Sequence, residues 1–210
     1  MNMTINQLSK ELHQRLKSPL PGQSAQQAAQ VKSNVKFNFP HTIETAIPAG
    51  VLILLFPKND DIHFFLTTRT DDVEHHKGQI SLPGGVWEKD EQLHETAFRE
   101  TEEEIGVSRN NIQLLGGLTP LFTPVTGFMI HPFIGWIDEK PTTIIQESEV
   151  KKLFSASIID LINKNTFITE NWSIRGYDAT VPFFNFSGQK VWGATGAILS
   201  EFKSVLKEII

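Results

Sequence analysis

Two dense apolar runs, residues 49–56 and 62–68, are separated by Pro57-Lys58-Asn59-Asp60-Asp61. Runs of this length, rich in Val, Ile, Leu and Phe and divided by turn residues, predict a β-hairpin. Residues 112–118, 129–137 and 180–186 predict further strands. A helical period begins at Leu93, after which Ala97, Thr101 and Ile105 form a mostly apolar stripe that can pack on a sheet. Helices are also expected over 7–16, 149–154, 158–163 and 194–209, and Ser18-Pro19-Leu20-Pro21-Gly22 ends the first of them. Residues 23–34, rich in Gln, Ala and Ser, read as a polar arm. These expectations divide the chain into an N-terminal helical and polar extension, 1–44, and a domain over 45–210. Strands mixed with a few helices point to an α/β fold, an α/β/α sandwich around a mixed β-sheet.

Composition narrows the function classes. A chain of 210 residues, 40% of them hydrophobic, is long enough for one domain with a substantial core. A net charge of −5 leaves no electrostatic footprint for nucleic acid or an acidic membrane, so neither is expected as a partner. The absence of cysteine excludes disulfides and thiolate metal sites. Residues 1–17 are polar and amphipathic, and the apolar run at 51–56 is far too short to span a bilayer, so a cytoplasmic location is expected.

The most informative chemistry lies on the helix expected after Asp90. Glu100, Glu103 and Glu104 fall on one arc of roughly 100°. Glu100 and Glu104 form a like-charge i,i+4 pair, and all three acids sit in the last turns before Gly106, the expected C-cap, where the helix dipole disfavours carboxylates. Arg99 is the only Lys or Arg between Asp90 and Ser108. A hard divalent cation removes both penalties, and Mg²⁺ in particular takes oxygen ligands and shares its remaining positions with phosphates. At the other end of the helix, Asp90 is the expected N-cap, and Glu91 and Glu95 suit the positive end of the dipole.

The residues from Gly85 through Glu91 and Arg99-Glu100-Thr101-Glu102-Glu103-Glu104-Ile105-Gly106-Val107 resemble the Nudix box, with Thr101 standing where an aliphatic residue is usual. The resemblance implies that Glu100, Glu103, Glu104 and the Gly85 carbonyl hold Mg²⁺ or Mn²⁺. It also implies that Arg99 pairs with Glu91 to orient the Gly85 loop, a role that suits a planar guanidinium better than an ammonium. The implied fold is the same α/β/α sandwich.

Upstream, Phe65-Leu66-Thr67-Thr68-Arg69-Thr70 and Gly78-Gln79-Ile80-Ser81-Leu82-Pro83-Gly84-Gly85 resemble the motif of the coenzyme A pyrophosphatase branch of the Nudix family. Spacing matches throughout, while Thr70, Leu82 and Glu74 depart in residue type, the last reversing a charge where the branch has Arg. Likeness to that branch continues through 118–120, 125–133, 147–150 and 191–199. It implies hydrolysis of coenzyme A or its derivatives to 4′-phosphopantetheine and adenosine 3′,5′-bisphosphate. Arg69 and Lys77 are candidates for holding phosphate, with His75 and His76 nearby, and Phe122 and Phe128 are candidates for lining a groove for the pantetheine arm.

Pyrophosphate hydrolysis needs an in-line water, charge neutralisation and a base. Glu103, Glu147 and Glu149 are the candidate bases, with Glu149 preferred outside the box. Other substrates stay open, ADP-ribose or another nucleoside diphosphate derivative, because of Glu74. A non-catalytic nucleotide-sensing module is the reading of a different class, although such a module is expected to lose box acids and here all are present. A homodimer is carried as an expectation for assembly.

Overall fold

A computed structural model describes residues 4–35, 38–70, 79–174 and 176–210. The chain enters through helices α1 (Ile5–Arg15) and α2 (Gly22–Gln26) and the short strand β1 (Lys32–Ser33). Strands β2 (Ile47–Lys58), β3 (Asp61–Arg69), β4 (Ile80–Ser81) and β5 (Gly84–Val86) lead into α3 (Leu93–Ile105). After it come β6 (Gln113–Gly117), β7 (Leu121–Thr123), β8 (Phe128–Trp136), β9 (Val150–Ser157) and α4 (Ile158–Ile162). The chain closes with β10 (Phe167–Ile174), β11 (Tyr177–Phe186), β12 (Gln189–Val191) and α5 (Gly193–Leu206).

β2 fixes the layering, because it is apolar on both faces. Leu52, Leu54 and Phe56 join Ala97 and Ile105 of α3 in one core, while Ile53 and Leu55 join α1, α4 and α5 residues in the other. A strand buried on both faces reads as a continuous apolar run rather than as an alternation. The large sheet has the order β4-β3-β2-β8-β6, with β5 beside β2, β7 beside β8 and β9 beside β3. β2 and β8 are parallel and the remaining pairs antiparallel, so the sheet is mixed and lies between helices, as the expected sandwich requires. A second, antiparallel sheet orders β1-β11-β10, with β12 on β11.

The N-terminal segment is tied to this core. Thr4 and Gln7 form a capping box that starts α1, whose Ile5, Leu8 and Leu12 enter the larger core. Gln26, in the expected polar arm, donates to Glu201 Oε2 at 2.9 Å, and the N–H of Gly22 just before the arm donates to Oε1 at 3.1 Å. Glu201 is fully buried on α5, and its carboxylate is also held by the Thr119 hydroxyl at 2.7 Å. Buried carboxylates require such donors.

Three expectations need correcting. Residues 149–154 do not form a helix; Val150–Ser157 is β9, which pairs antiparallel with β3 from His63↔Ser157 onward. The spacing of Val150, Leu153 and Phe154 imitates a helix, but the free edge of β3 needs hydrogen-bond partners and takes them here. Asp90 is not the N-cap of α3: it adopts φ 76°, two residues short of the actual cap, Gln92. Asp tolerates that left-handed conformation through its short polar side chain. β10 was not expected at all, and β11 begins three residues before the expected strand.

Candidate metal and phosphate site

Two glycines allow α3 to lie close to the sheet. At Gly50 on β2, an added Cβ would meet the Ala97 nitrogen at 3.1 Å and Thr96 Cβ at 3.2 Å. At Gly85 on β5, paired with Gly50, a Cβ would collide with the Glu100 carboxylate. The absence of a side chain at Gly85 therefore leaves the Glu100 carboxylate resting directly on the Gly85 backbone. Helix α3 ends at Gly106, whose φ of 73° makes it the left-handed C-cap.

Along α3 the three box acids have different environments. Glu104 is only 4% exposed, and among the described residues its Oε2 has no hydrogen-bond partner. Burial pushes its carboxyl up to about 8; Arg69 opposes the rise, and the nearby charges of Glu100 and Glu149 add to it. Glu100 is also raised, again chiefly by burial, with Arg99 opposing and Glu103 and Glu149 adding. Glu103 is exposed at the outer side of the helix.

Arg99 is the counter-charge of this face. Its Nη1 donates to Glu100 Oε1 at 2.8 Å and to Glu103 Oε2 at 3.0 Å, and its Nη2 donates to the Val86 carbonyl at 3.2 Å. Its Nε and Nη2 hold Glu91 Oε2 and Oε1 at 3.2 and 3.1 Å, so the pairing implied by the Nudix resemblance is present as a fork. Hydrogen bonds from Arg99 above all pull the Glu91 carboxyl down to about 2, against the effect of burial. The guanidinium is correspondingly raised above its ordinary value, first by Glu91. Sequence reasoning missed further contacts to Glu91, among them the Trp87 indole, which donates to its carbonyl at 2.7 Å, and the Thr96 hydroxyl, which donates to its carboxylate at 2.7 Å. Each contact spans only four or five residues, but neither a Trp nor a Thr at that spacing signals such a contact by itself.

The remaining candidates lie at different distances from this face. Arg69 ends β3 beside a bulge against β9, and its charge acts on Glu104; its Nε and the Thr68 hydroxyl are buried without a partner among the described residues. Glu149 accepts the Thr70 N–H at 3.1 Å through its carbonyl, and its charge adds to the rise at Glu100 and Glu104. Glu147 is exposed in the same turn. Phe128 pairs with Ile47 and Thr123, on the same face as Ile130 and thus on the side away from α3. Phe122 pairs with Met129 and so presents the opposite face, and the two rings do not form one wall. Lys77, with Glu74, His75 and His76, lies outside the described residues.

The donor set fits a hard cation. Among the described residues no three His, Asp or Glu side chains converge on one point, because Arg99 draws Glu100 and Glu103 toward itself. Yet a buried carboxylate oxygen on Glu104 that has no partner among the described residues and a carboxylate pressed onto the Gly85 backbone are the oxygen-only donors that Mg²⁺ or Mn²⁺ prefers.

Comparison with known proteins identifies the family and the fold. The chain is 33% identical over 137 residues to the Nudix hydrolase NudL of Pectobacterium atrosepticum, covering 65% of this chain and 71% of that protein. It is 29% identical over 175 residues to Nudix hydrolase 3 of Caenorhabditis elegans, covering 75% and 72%. Among solved structures, a C. elegans Ap4A hydrolase binary complex superimposes with a TM-score of 0.52 at 14% identity, covering 78% of this chain and 99% of the other. The M. smegmatis Nudix hydrolase RenU gives 0.52 at 15% identity, covering 86% and 95%. At such identities the structural likeness speaks to the fold alone. The family profile described as the NUDIX domain matches residues 46–171, a span that includes the Gly85 loop, the whole of α3 and Glu149, and the chain belongs to the Nudix hydrolase family.

Proposed function

We propose that this Nudix protein hydrolyses the pyrophosphate bond of coenzyme A or its derivatives, releasing 4′-phosphopantetheine and adenosine 3′,5′-bisphosphate. The observation that carries the chemistry is the gathering of Glu100, Glu104 and Glu149 within one electrostatic neighbourhood, with Glu104 buried and its Oε2 without a partner among the described residues. Such a concentration of acids becomes favourable when a cation enters. Glu100, Glu103, Glu104 and the Gly85 carbonyl would hold Mg²⁺ or Mn²⁺. When bound, the cation polarises the phosphoryl oxygens and lowers the pKa of a water molecule.

The chain's own residues do the rest. Glu149 takes the proton of the attacking water, with Glu103 and Glu147 as the alternative bases. Water adds to one phosphorus and the bridging P–O bond breaks, so each product leaves with a phosphate end. Arg69 brings a buried Nε donor without a partner among the described residues, and we assign it to a substrate phosphate together with Lys77. Phe128 faces away from α3 and its acids, so no substrate contact is assigned to it.

Support for coenzyme A comes from the spacing of Leu66-Thr67-Thr68-Arg69 and Leu82-Pro83-Gly84-Gly85. A second reading, ADP-ribose or another nucleoside diphosphate derivative, is favoured by Glu74, whose charge opposes a third phosphate. Comparing kcat/KM for coenzyme A, ADP-ribose, NADH and diadenosine polyphosphates separates the two. Coenzyme A leading the panel supports the first; ADP-ribose leading it moves the assignment to the second. A cytoplasmic location and a homodimer belong to the same proposal. A cysteine-free chain fits a reducing compartment, and light scattering reads the assembly.

A further inference from the structure

Thr96 and Thr101 are both fully buried on α3, yet they use their hydroxyls differently. Thr101 Oγ1 donates back to the Ala97 carbonyl at 2.7 Å, the local solution open to any helical threonine. Thr96 Oγ1 leaves the helix and donates to Glu91 Oε1 at 2.7 Å. Its Cβ is wedged beside Gly50, at a position 3.2 Å from where a Cβ on that glycine would stand. A β-branched side chain in a helix has few rotamers, so the hydroxyl is a fixed point.

What it fixes is shared with the acid face. Glu91 Oε1 also accepts the Glu88 N–H at 3.0 Å and Arg99 Nη2 at 3.1 Å, while Oε2 accepts Arg99 Nε at 3.2 Å. The other end of the same guanidinium, Nη1, reaches Glu100 at 2.8 Å and Glu103 at 3.0 Å. One cation is thus divided between Glu91 and two acids that the proposed metal would also claim.

We propose that Thr96 is a positioning residue for the metal site: its hydroxyl pins Glu91, and a pinned Glu91 holds the Nε edge of Arg99 so that Glu100 and Glu103 can turn to a divalent cation. This rests on the metal reading given above. Without the hydroxyl, Glu91 loosens and Arg99 swings its charge onto Glu100 and Glu103. The guanidinium then competes with the cation for the same oxygens.

Mn²⁺ titrated calorimetrically into the metal-free full chain tests this, using wild type, Thr96→Val and Thr96→Ser. Valine keeps the branched shape and lacks the donor, whereas serine keeps the donor. Thr96→Val is expected to weaken Mn²⁺ binding by about tenfold to a hundredfold, the usual effect of removing a partner that orients a metal ligand, and Thr96→Ser to restore it. At saturating metal, KM for the pyrophosphate substrate should stay near wild type in both. Wild-type Mn²⁺ affinity in Thr96→Val, or no recovery in Thr96→Ser, overturns the role of Thr96. A wild-type chain that binds no Mn²⁺ overturns the metal reading instead. Should Thr96→Val fail to fold, Thr96→Ala removes the same donor and is compared with Thr96→Ser in its place.

Discussion

Arg99 grips Glu91 with two parallel hydrogen bonds, Nε to Oε2 at 3.2 Å and Nη2 to Oε1 at 3.1 Å, and the two side chains are only 13% and 16% exposed. Removing the arginine leaves Glu91 partly buried without its counter-charge, which costs more than the pair itself contributes. Arg99→Ala is therefore expected to lower folding stability by about 2 kcal/mol or more and to reduce turnover with it. A thermal melt and steady-state kinetics read the two effects. Unchanged kinetics would show that the fork has no bearing on the site.

The same pair makes stability depend on acid pH. Glu91 falls to about 2 in the folded chain from an ordinary 4.5, so its stabilising contribution is fully present above 4.5 and is lost as pH falls toward 2. The contribution is at most about 3 kcal/mol at neutral pH, before solvent screening. Chemical denaturation from pH 7 to pH 3 should show the gap between wild type and Glu91→Gln closing as pH falls. A gap independent of pH contradicts the assignment.

Glu104 has the opposite sign. Its folded value, about 8, lies above its ordinary 4.5, so in the metal-free chain the stability it supplies is complete below 4.5 and is lost as pH rises through 8. Glu104→Gln should thus melt higher than wild type at pH 8.5 without metal, while hydrolysis falls by orders of magnitude. A lower melt for Glu104→Gln at that pH would mean the buried carboxylate is satisfied rather than waiting for a cation.

Gly85→Ala tests the close approach. A methyl group there meets the Glu100 carboxylate, so Glu100 must leave its place beside the Gly85 backbone. Turnover should fall at least as far as in Glu100→Gln, with a small change in the melt. Activity equal to wild type would show that Glu100 does not need this position.

Glu74→Arg addresses substrate choice. Restoring the charge of the branch motif should lower KM for coenzyme A and leave dephospho-coenzyme A almost unchanged, since only the former carries the 3′-phosphate. Equal effects on both substrates would place position 74 away from that phosphate.

Where the candidate residues lie relative to one another could largely be read before folding, because they stand at fixed spacing. Glu100, Glu103 and Glu104 share a face through helical geometry alone, and Gly85 stands fifteen residues before Glu100. β2 and β3 were equally legible, since a strand buried on both faces announces itself as an unbroken apolar run. β9 was not, because Val150, Leu153 and Phe154 carry a helical spacing that only the edge of β3 overrules. The opposed faces of Phe122 and Phe128 and the burial of Glu201 under Gln26 depend on which elements meet. No local pattern encodes such meetings.

The most direct measurement is mass spectrometry of the products formed from coenzyme A by the full chain with Mg²⁺ and with excess chelator. Equal amounts of 4′-phosphopantetheine and adenosine 3′,5′-bisphosphate with Mg²⁺, and neither with chelator, are the predicted result. Undiminished turnover in chelator would contradict the role of the acid face, and intact coenzyme A beside cleaved ADP-ribose would contradict the substrate.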